Sequence, residues 1–304
     1  MAPSSPSARV RAARDELLDD DTLSVHFWGV RGSYPVADRR VDRFGGNTAC
    51  VEVRLGHRLF IIDAGTGIVG LGQMLAGSPI TEVDILLSHL HHDHVSGLAF
   101  FEPLFHAGVT VRVHCGHLGG QDASEALGRM YAAPLFPLSL DELPATITHV
   151  GFEAGQTLGF GDGIEVATCL LNHPGGATGY RFAHAGRTLC YLSDMEHDEG
   201  GHPAALVAFA RDADVVVYDA TFTEAEYARF KGWGHSTCEA GVELCQRAGA
   251  HALAAFHHHP LRDDDALEAI EAQLAAALPG SFHAREVHSI AVGSPDSYPG
   301  MLGT

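Results

Sequence analysis

The chain has 304 residues, of which 38 are acidic and 19 basic, and its formal charge is −19. A general nucleic-acid binder needs basic patches that displace phosphate counterions, so this composition disfavours extended nucleic acid and favours a small substrate. No apolar run in the sequence approaches the roughly 18 residues that cross a bilayer, which predicts a cytoplasmic protein without membrane contact.

Apolar segments separated by turn residues predict strands through the first two thirds of the chain. They are residues 23–28, 49–55, 59–62, 83–88 and 109–114, followed by 147–152, 164–171, 178–183 and 187–192. Helices are expected after Thr66 and over residues 121–131. The two groups of strands predict two sheets.

The last third of the chain alternates helical and extended patterns. Helices are predicted at 204–211, 236–248 and 263–278, and strands at 214–218 and 252–256. This order suits an α/β fold of four layers, αββα, in which helices cover the outer faces of two packed sheets. We expect a single domain over residues 22–292, a disordered leader over 1–21 and a flexible tail over 293–304.

A histidine-rich segment directly follows the fourth predicted strand. Its sequence is Ser88-His89-Leu90-His91-His92-Asp93-His94. Alternate side chains of an extended chain share one side, so His89 and His91 can face one metal ion, and a turn would direct Asp93 and His94 towards a second. Histidine is the usual neutral nitrogen ligand of zinc and related metals, and the chain contains 21 histidines. The segment therefore predicts a metal centre at the end of a strand.

The HxHxDH pattern of this segment resembles the signature of the metallo-β-lactamase superfamily, and the resemblance extends from about Val25 to about Asp265. It implies a metallo-β-lactamase sandwich with two divalent metal ions, zinc or manganese. Further ligands are implied at positions that each follow a predicted strand: His173, Asp194 and His257. By the same resemblance, one ion is bound by His89, His91 and His173, the other by Asp93, His94 and His257, and Asp194 bridges them.

Three consecutive histidines, His257, His258 and His259, follow the last predicted strand. His257 is preferred as the ligand because it directly follows the strand, and His258 is the alternative. His259 is expected behind the ligands or on the surface. Asp63 matches an aspartate-glycine turn of the superfamily that is structural, so it is not counted among the ligands.

Another segment, Gly232-Trp233-Gly234-His235-Ser236-Thr237, opens the predicted helix at 236–248 after a Gly-rich turn. His235 is either a histidine of the loop that caps this helix or a catalytic group. The glycine-histidine-serine-threonine element resembles the phosphodiesterase branch of the superfamily, in which the histidine lies beside the metals and assists the phosphate and the leaving oxygen. Residues 28–33 and 45–48 likewise resemble small cyclic phosphodiesterases.

The resemblance implies a dinuclear phosphodiesterase in which a metal-bridging hydroxide attacks phosphorus. Asp93 would help to orient it, and protonated His235 would stabilise the phosphate or protonate the leaving oxygen. The expected substrate is a small anionic phosphodiester, such as a cyclic nucleotide or a ribosyl cyclic phosphate. A transfer-RNA 3′-end endonuclease is the main alternative, although the acidic composition and the lack of a basic arm weigh against it. A thioesterase or lactonase of the superfamily, a metal-binding protein without activity, and a homodimeric state also stay open.

Overall fold

The computed structural model describes residues 19–298 and contains two sheets. The strands are, in chain order, β1 (Leu23–Gly29), β2 (Cys50–Leu55), β3 (Arg58–Ile62), β4 (Glu82–Leu87), β5 (Thr110–Cys115), β6 (Thr146–Gly151), β7 (Thr157–Gly159), β8 (Glu165–Leu171), β9 (Ala177–His184), β10 (Arg187–Leu192), β11 (Val215–Asp219), β12 (Ala252–Phe256), β13 (Phe282–His283) and β14 (His288–Ala291). The first sheet has the order β14-β1-β2-β3-β4-β5-β6, and the second has the order β13-β12-β11-β10-β9-β8-β7.

Both sheets are mixed. In the first, β3 to β6 run parallel, and the remaining neighbours pair antiparallel. In the second, β10 to β13 run parallel, and the remaining neighbours again pair antiparallel. Neighbouring parallel strands end on the same side of a sheet, so the loops that follow them lie close together on that side.

Helices complete the fold on both outer faces. They are α1 (Gly67–Leu75), α2 (His92–Val95), α3 (Ser124–Met130), α4 (Ala204–Phe209), α5 (Glu224–Phe230), α6 (Cys238–Ala248) and α7 (Asp264–Ala277). A core that includes Phe60, Tyr191 and Phe256 lies between the two sheets. A second core joins the first sheet to α1 and α3, and a third joins the second sheet to α4, α6 and α7. The predicted four-layer αββα sandwich is confirmed.

Strand β4 illustrates why these segments form buried strands. Ile85 and Leu87 belong to the core beneath α1, whereas Leu86 belongs to the core between the sheets. Since neighbouring side chains of a strand point to opposite faces and both faces are covered, the strand is apolar on both sides. The same reasoning applies to β11 and β12, whose residues are all buried.

The structure describes only parts of the leader and the tail that were expected from the sequence. Residues 1–18 of the expected leader and 299–304 of the expected tail lie outside the described residues. Within the described part of the tail, a 3-10 turn spans Pro295–Ser297, and Tyr298 is buried in the core between the sheets. The Tyr298 hydroxyl accepts a hydrogen bond from Gly293 N at 2.9 Å. Tyr298 is thus buried against the domain, whereas residues 294–296 are exposed. Between residues 19 and 298, no helix has the length and apolarity needed to cross a membrane.

Candidate metal centre

The loops that follow β4, β8, β10 and β12 meet at one edge of the sandwich. The chain turns after β4 into the single-turn helix α2. The ligands predicted from the sequence all lie in these loops or in α2: His89, His91, Asp93, His94, His173, Asp194 and His257. Each loop starts from a strand that is fixed by its neighbours, which holds the side chains close together before any cation binds.

One group of nitrogen ligands is formed by His89, His91 and His173, with one ring nitrogen of each lying within 4.8 Å of the others. His173 Nε2 is 3.1 Å from His91 Nδ1. Burial lowers the pKa of all three imidazoles, most strongly that of His89. They are therefore neutral and present lone pairs at neutral pH. His91 is exposed while the other two are buried, so this group opens to solvent.

A second group consists of Asp93, His94 and His257. Asp93 Oδ2 lies 3.2 Å from His257 Nε2 and 3.4 Å from His94 Nε2. Asp194 reaches both groups, because its carboxylate is 3.2 Å from both His94 Nε2 and His257 Nε2 and 3.9 Å from His89 Nε2. The position of Asp194 is that of a carboxylate able to contact two adjacent cations.

Asp63 holds the loop after β4 from behind. Its carboxylate accepts hydrogen bonds from Ser88 N at 2.7 Å, from the Ser88 hydroxyl at 2.9 Å and from the Tyr191 hydroxyl at 2.8 Å. His94 Nδ1 donates to the same carboxylate at 2.8 Å, and His89 Nδ1 lies 3.0 Å from the Ser88 hydroxyl. Carboxylates in this position fix the tautomer and orientation of metal-binding histidines. Asp63 is a positioning residue, in agreement with its exclusion from the ligand set.

Two of the other predicted histidine ligands, His173 and His257, are also fixed through Nδ1. His173 Nδ1 donates to Gly234 O at 2.8 Å, because a carbonyl can only accept. The Thr221 hydroxyl donates to His257 O at 2.8 Å and lies 3.0 Å from His257 Nδ1, so this nitrogen donates to the hydroxyl. Both rings therefore carry their proton on Nδ1 and leave Nε2 as an acceptor that faces the centre.

The residues present fit a pair of divalent cations. His89 Nε2 and His94 Nε2 are buried and make no hydrogen bond with any described residue. Burial alone would raise the pKa of the Asp93 and Asp194 carboxyl groups, but His94 and His257 hold both well below the ordinary range. Two buried carboxylates thus lie among imidazole nitrogens, and a set of nitrogen and oxygen donors of this kind suits zinc and related metals.

Three residues of the centre have strained backbones. Asp63, Asp194 and His257 have φ values of 62°, 59° and 60°, in the left-handed region that favours glycine. Such conformations cost roughly 1–3 kcal/mol each and persist where the surrounding structure fixes them. Gly32 is required beside them, because a Cβ there would lie 2.2 Å from the His257 ring. Asp63 and His257 directly follow strands, and Asp194 lies two residues beyond the end of β10, at points where the chain turns towards the centre.

His235 lies beside the second group. Its ring stacks on His257 at a centroid distance of 4.8 Å, and its Nδ1 donates to Asp219 Oδ2 at 2.8 Å. Burial opposes the charged form, but Asp219 and the carboxylates of the centre raise the pKa of His235 to about 9. The helix cap is Thr237, whose hydroxyl accepts from Ala240 N, so capping does not account for His235.

Asp219 is a functional candidate that the sequence analysis missed. It is fully buried at the end of β11, and it also accepts from the backbone N–H groups of Thr221 and Ser236 at 3.1 Å each. The signal that would have found it is a carboxylate at the end of a predicted parallel strand, at the same edge as the ligands.

The structure also distinguishes the consecutive histidines. His257 faces the centre, whereas His258 is buried behind it, donates from Nε2 to Ala284 O at 2.8 Å and contacts His283. His259 is partly exposed and packs near Phe222 at a centroid distance of 5.9 Å. His257 is thus the histidine of this run that lies among the predicted ligands.

Comparison with known proteins identifies the family and the fold. A family model described as the beta-lactamase superfamily domain matches residues 58–258. Ribonuclease Z of Gemmatimonas aurantiaca is 23% identical over 325 aligned positions, which cover 87% of this chain and 94% of that protein. The fold is shared with the metallo-beta-lactamase fold protein YhfI from Bacillus subtilis, with a TM-score of 0.64, 16% identity, and coverage of 89% of this chain and 99% of YhfI. It is also shared with human tRNase Z, short form, with a TM-score of 0.61, 18% identity, and coverage of 88% and 99%.

Proposed function

The chain belongs to the beta-lactamase superfamily. From this premise we propose that it acts as a metal-dependent phosphodiester hydrolase whose reaction uses two bound cations and one protonated histidine. The observation that carries the proposal is the position of His235, which Asp219 holds at 2.8 Å beside two adjacent groups of ligands. A phosphodiester has charged oxygens and an alkoxide leaving group, and a cationic acid at this place would stabilise the first and protonate the second.

In this proposal one cation is held by His89, His91 and His173, the other by Asp93, His94 and His257, and Asp194 contacts both. When bound, the cations would polarise the phosphate and lower the pKa of water at the site. The protein itself binds the cations through histidines whose tautomers are fixed by hydrogen bonds on the side of each ring that faces away from the centre.

In this proposal His235 supplies the proton for the leaving oxygen. Its Nδ1 is engaged by Asp219, so Nε2–H is the group available to the substrate. A protonated imidazole there would stabilise charge on a phosphate oxygen and give its proton to the departing alkoxide. Ser33 N donates to Asp93 Oδ2 at 2.6 Å, which fixes the carboxylate that is proposed to orient the attacking water.

The first substrate class to test is a transfer RNA with a 3′ extension. The sequence analysis placed such an endonuclease behind a small-substrate enzyme, and the relatives reverse that order. Ribonuclease Z of Gemmatimonas aurantiaca aligns with nearly the whole of this chain, and human tRNase Z shares its fold.

A small anionic phosphodiester is the second candidate, and one observation favours it. The chain carries a formal charge of −19, and Lys231 is its only lysine. Long-range repulsion of a polyanion by such a protein weakens at higher ionic strength. If RNA is the substrate, its cleavage should therefore accelerate as salt rises from low to physiological concentration.

One metal-reconstituted preparation should be assayed on precursor transfer RNA, cyclic nucleotides, ribosyl cyclic phosphates and bis(p-nitrophenyl) phosphate. We expect hydrolysis that a chelator abolishes and added zinc or manganese restores. Release of a 3′ trailer would favour the endonuclease, and turnover of cyclic phosphates alone would favour the small-substrate enzyme. Bound metal without turnover of any of these substrates would contradict the proposal.

The role of His235 can be tested separately with His235→Ala, which should keep both cations. Removal of a positioned general acid typically costs about 100-fold to 10,000-fold in rate. We expect a loss of that order for a substrate with an alkoxide leaving group and a smaller loss for p-nitrophenolate, which leaves without a proton. Equal losses on both substrates would indicate phosphate binding instead of proton donation.

A further inference from the structure

Trp233 is an exposed tryptophan at the rim of the candidate centre. Its exposed fraction is 63%, whereas that of Trp28, the other tryptophan of the chain, is 6%. Trp233 lies between Gly232 and Gly234 in the short connection from α5 to α6. A single exposed apolar residue is common on protein surfaces, so the case for a ligand rests on where Trp233 lies and on how it is held.

The segment that carries Trp233 is firmly held. The Glu196 carboxylate accepts hydrogen bonds from Gly232 N at 2.7 Å and from Gly234 N at 2.9 Å, and the Tyr227 hydroxyl donates to it at 3.0 Å. Gly234 O accepts from Nδ1 of the ligand His173 at 2.8 Å. The exposure of Trp233 is therefore not that of a loose loop, because the residues on both sides are tied to the metal centre.

Aromatic rings connect Trp233 with the catalytic histidine. The Trp233 ring packs edge-on against Phe230 at 5.3 Å, and Phe230 stacks on Phe222 at 4.6 Å with an interplanar angle of 3°. Phe222 in turn contacts the His235 ring at 5.9 Å. Along the chain Trp233 is two residues from His235, a separation of at most about 7 Å between the Cα atoms.

We propose that Trp233 is a stacking platform for a nucleobase of the substrate, on the nucleoside next to the scissile phosphate. The inference rests on the proposed phosphodiesterase function and specifies its substrate as a nucleotide or the end of an RNA. The Cα atoms of Trp233 and His235 are at most about 7 Å apart, so a nucleotide with its phosphate beside His235 would place its base on the same part of the surface as Trp233. Phe230 packs edge-on against the indole, and Phe222 in turn stacks on Phe230.

Charge supports a base as the occupant. The chain has 19 basic residues against 38 acidic ones, so its formal charge of −19 disfavours binding of a nucleic-acid backbone by charge alone. Stacking of bases on aromatic side chains supplies affinity without added positive charge, and it tolerates any base because every base has a flat face. Stacking at Trp233 together with cation contacts at the phosphate would let an acidic protein retain a nucleotide.

The first test compares two substrates that differ only in the nucleoside: thymidine 5′-(p-nitrophenyl phosphate) and methyl p-nitrophenyl phosphate. Loss of base stacking typically corresponds to a change of about 5-fold to 100-fold. Trp233→Ala should lower the ratio of kcat/KM for the thymidine substrate to kcat/KM for the methyl substrate by that factor. Trp233→Phe should restore much of the ratio. Phe105→Ala is the matched control, because Phe105 is a partly exposed aromatic that precedes β5 at the opposite edge of the sheet.

The second test needs no turnover. With zinc bound, adenosine monophosphate should quench the fluorescence of the exposed Trp233, and ribose 5-phosphate, which lacks the base, should not. Trp233→Phe leaves only the buried Trp28, so it should remove the quenching. Quenching that follows protein concentration in place of nucleotide concentration would assign Trp233 to a contact with a second copy and overturn the proposal.

The outcomes separate this inference from the proposed function. If both substrates are hydrolysed and the ratio of their kcat/KM values is the same in Trp233→Ala and in the unmodified protein, the platform is wrong and the phosphodiesterase stands. If neither substrate is hydrolysed, the assays on precursor transfer RNA and cyclic phosphates decide the proposed function, and the fluorescence titration alone decides whether Trp233 binds a base.

Discussion

Replacing Asp219 by Asn should abolish the protonated form of His235 at neutral pH while leaving the metal ligands in place. The carboxylate accepts from His235 Nδ1 at 2.8 Å and from the N–H groups of Thr221 and Ser236 at 3.1 Å each. Asparagine has one acceptor oxygen. If that oxygen serves the two backbone donors, the amide nitrogen faces Nδ1, which must then accept, and His235 becomes neutral.

The size of the expected effect on kcat follows from these contacts. The opposite amide orientation would leave two buried N–H donors unsatisfied at about 1–3 kcal/mol each, so the orientation that neutralises His235 is favoured. A neutral imidazole is a far weaker acid. We therefore expect kcat on a substrate with an alkoxide leaving group to fall by about 100-fold to 10,000-fold, with a smaller fall for p-nitrophenolate. Because Asp219 helps to raise the pKa of His235 to about 9, the pH above which activity declines should move downwards.

Steady-state kinetics on both substrates, with elemental analysis of each preparation, would measure these effects. Asp214→Asn is a matched control, because Asp214 is a buried aspartate at the other end of the same strand and accepts from Thr188 N at 2.8 Å. It should lower stability without this change in kcat. In a His235→Ala background, Asp219→Asn should have little further effect on kcat. An unchanged kcat on both substrates, or the loss of a cation, would refute the reasoning.

Three further predictions concern the groups around the cations. Asp194→Ala should disturb both cations because its carboxylate contacts both groups; elemental analysis that still finds two per chain would exclude a bridging role. Asp63→Asn should weaken zinc binding by about 10-fold to 100-fold, measured by competition with a chromophoric chelator, and equal affinity would contradict the role of Asp63 in holding His94. Glu196→Ala should leave the N–H groups of Gly232 and Gly234 without their acceptor, so limited proteolysis should cut this segment faster while metal content stays the same; an unchanged cleavage rate would show that Glu196 does not hold it.

The long buried strands were predictable from the sequence, whereas the short peripheral elements were not. β4, β11 and β12 are covered on both faces, so their sequences are nearly continuous apolar runs. β7, β13 and β14 have two to four residues each at sheet edges, too few to show a period. α5 buries none of its residues, so it lacks an apolar stripe, and only the Thr223 and Glu226 capping box indicated it.

The ligand set was within reach of the sequence for a related reason. Each loop that supplies a ligand follows an apolar strand, so His173, Asp194 and His257 stand out as polar residues at a change of pattern. The contacts of Glu196 depend instead on loops separated by 36 and 38 residues in the chain, and no local pattern indicates them. The distinction between His257 and His258 likewise required the backbone turn at His257, whose φ is 60°.

The candidate metal centre combines strained backbone conformations with buried charges. Asp63, Asp194 and His257 each have a left-handed backbone, at a cost of roughly 1–3 kcal/mol apiece, and Asp93 and Asp194 are buried anions. These costs lower the stability of the metal-free fold. Cations that bind the folded chain and not the unfolded one stabilise it by their binding free energy. The same loops that hold the ligands in place for catalysis therefore make the stability of the domain depend on its cations.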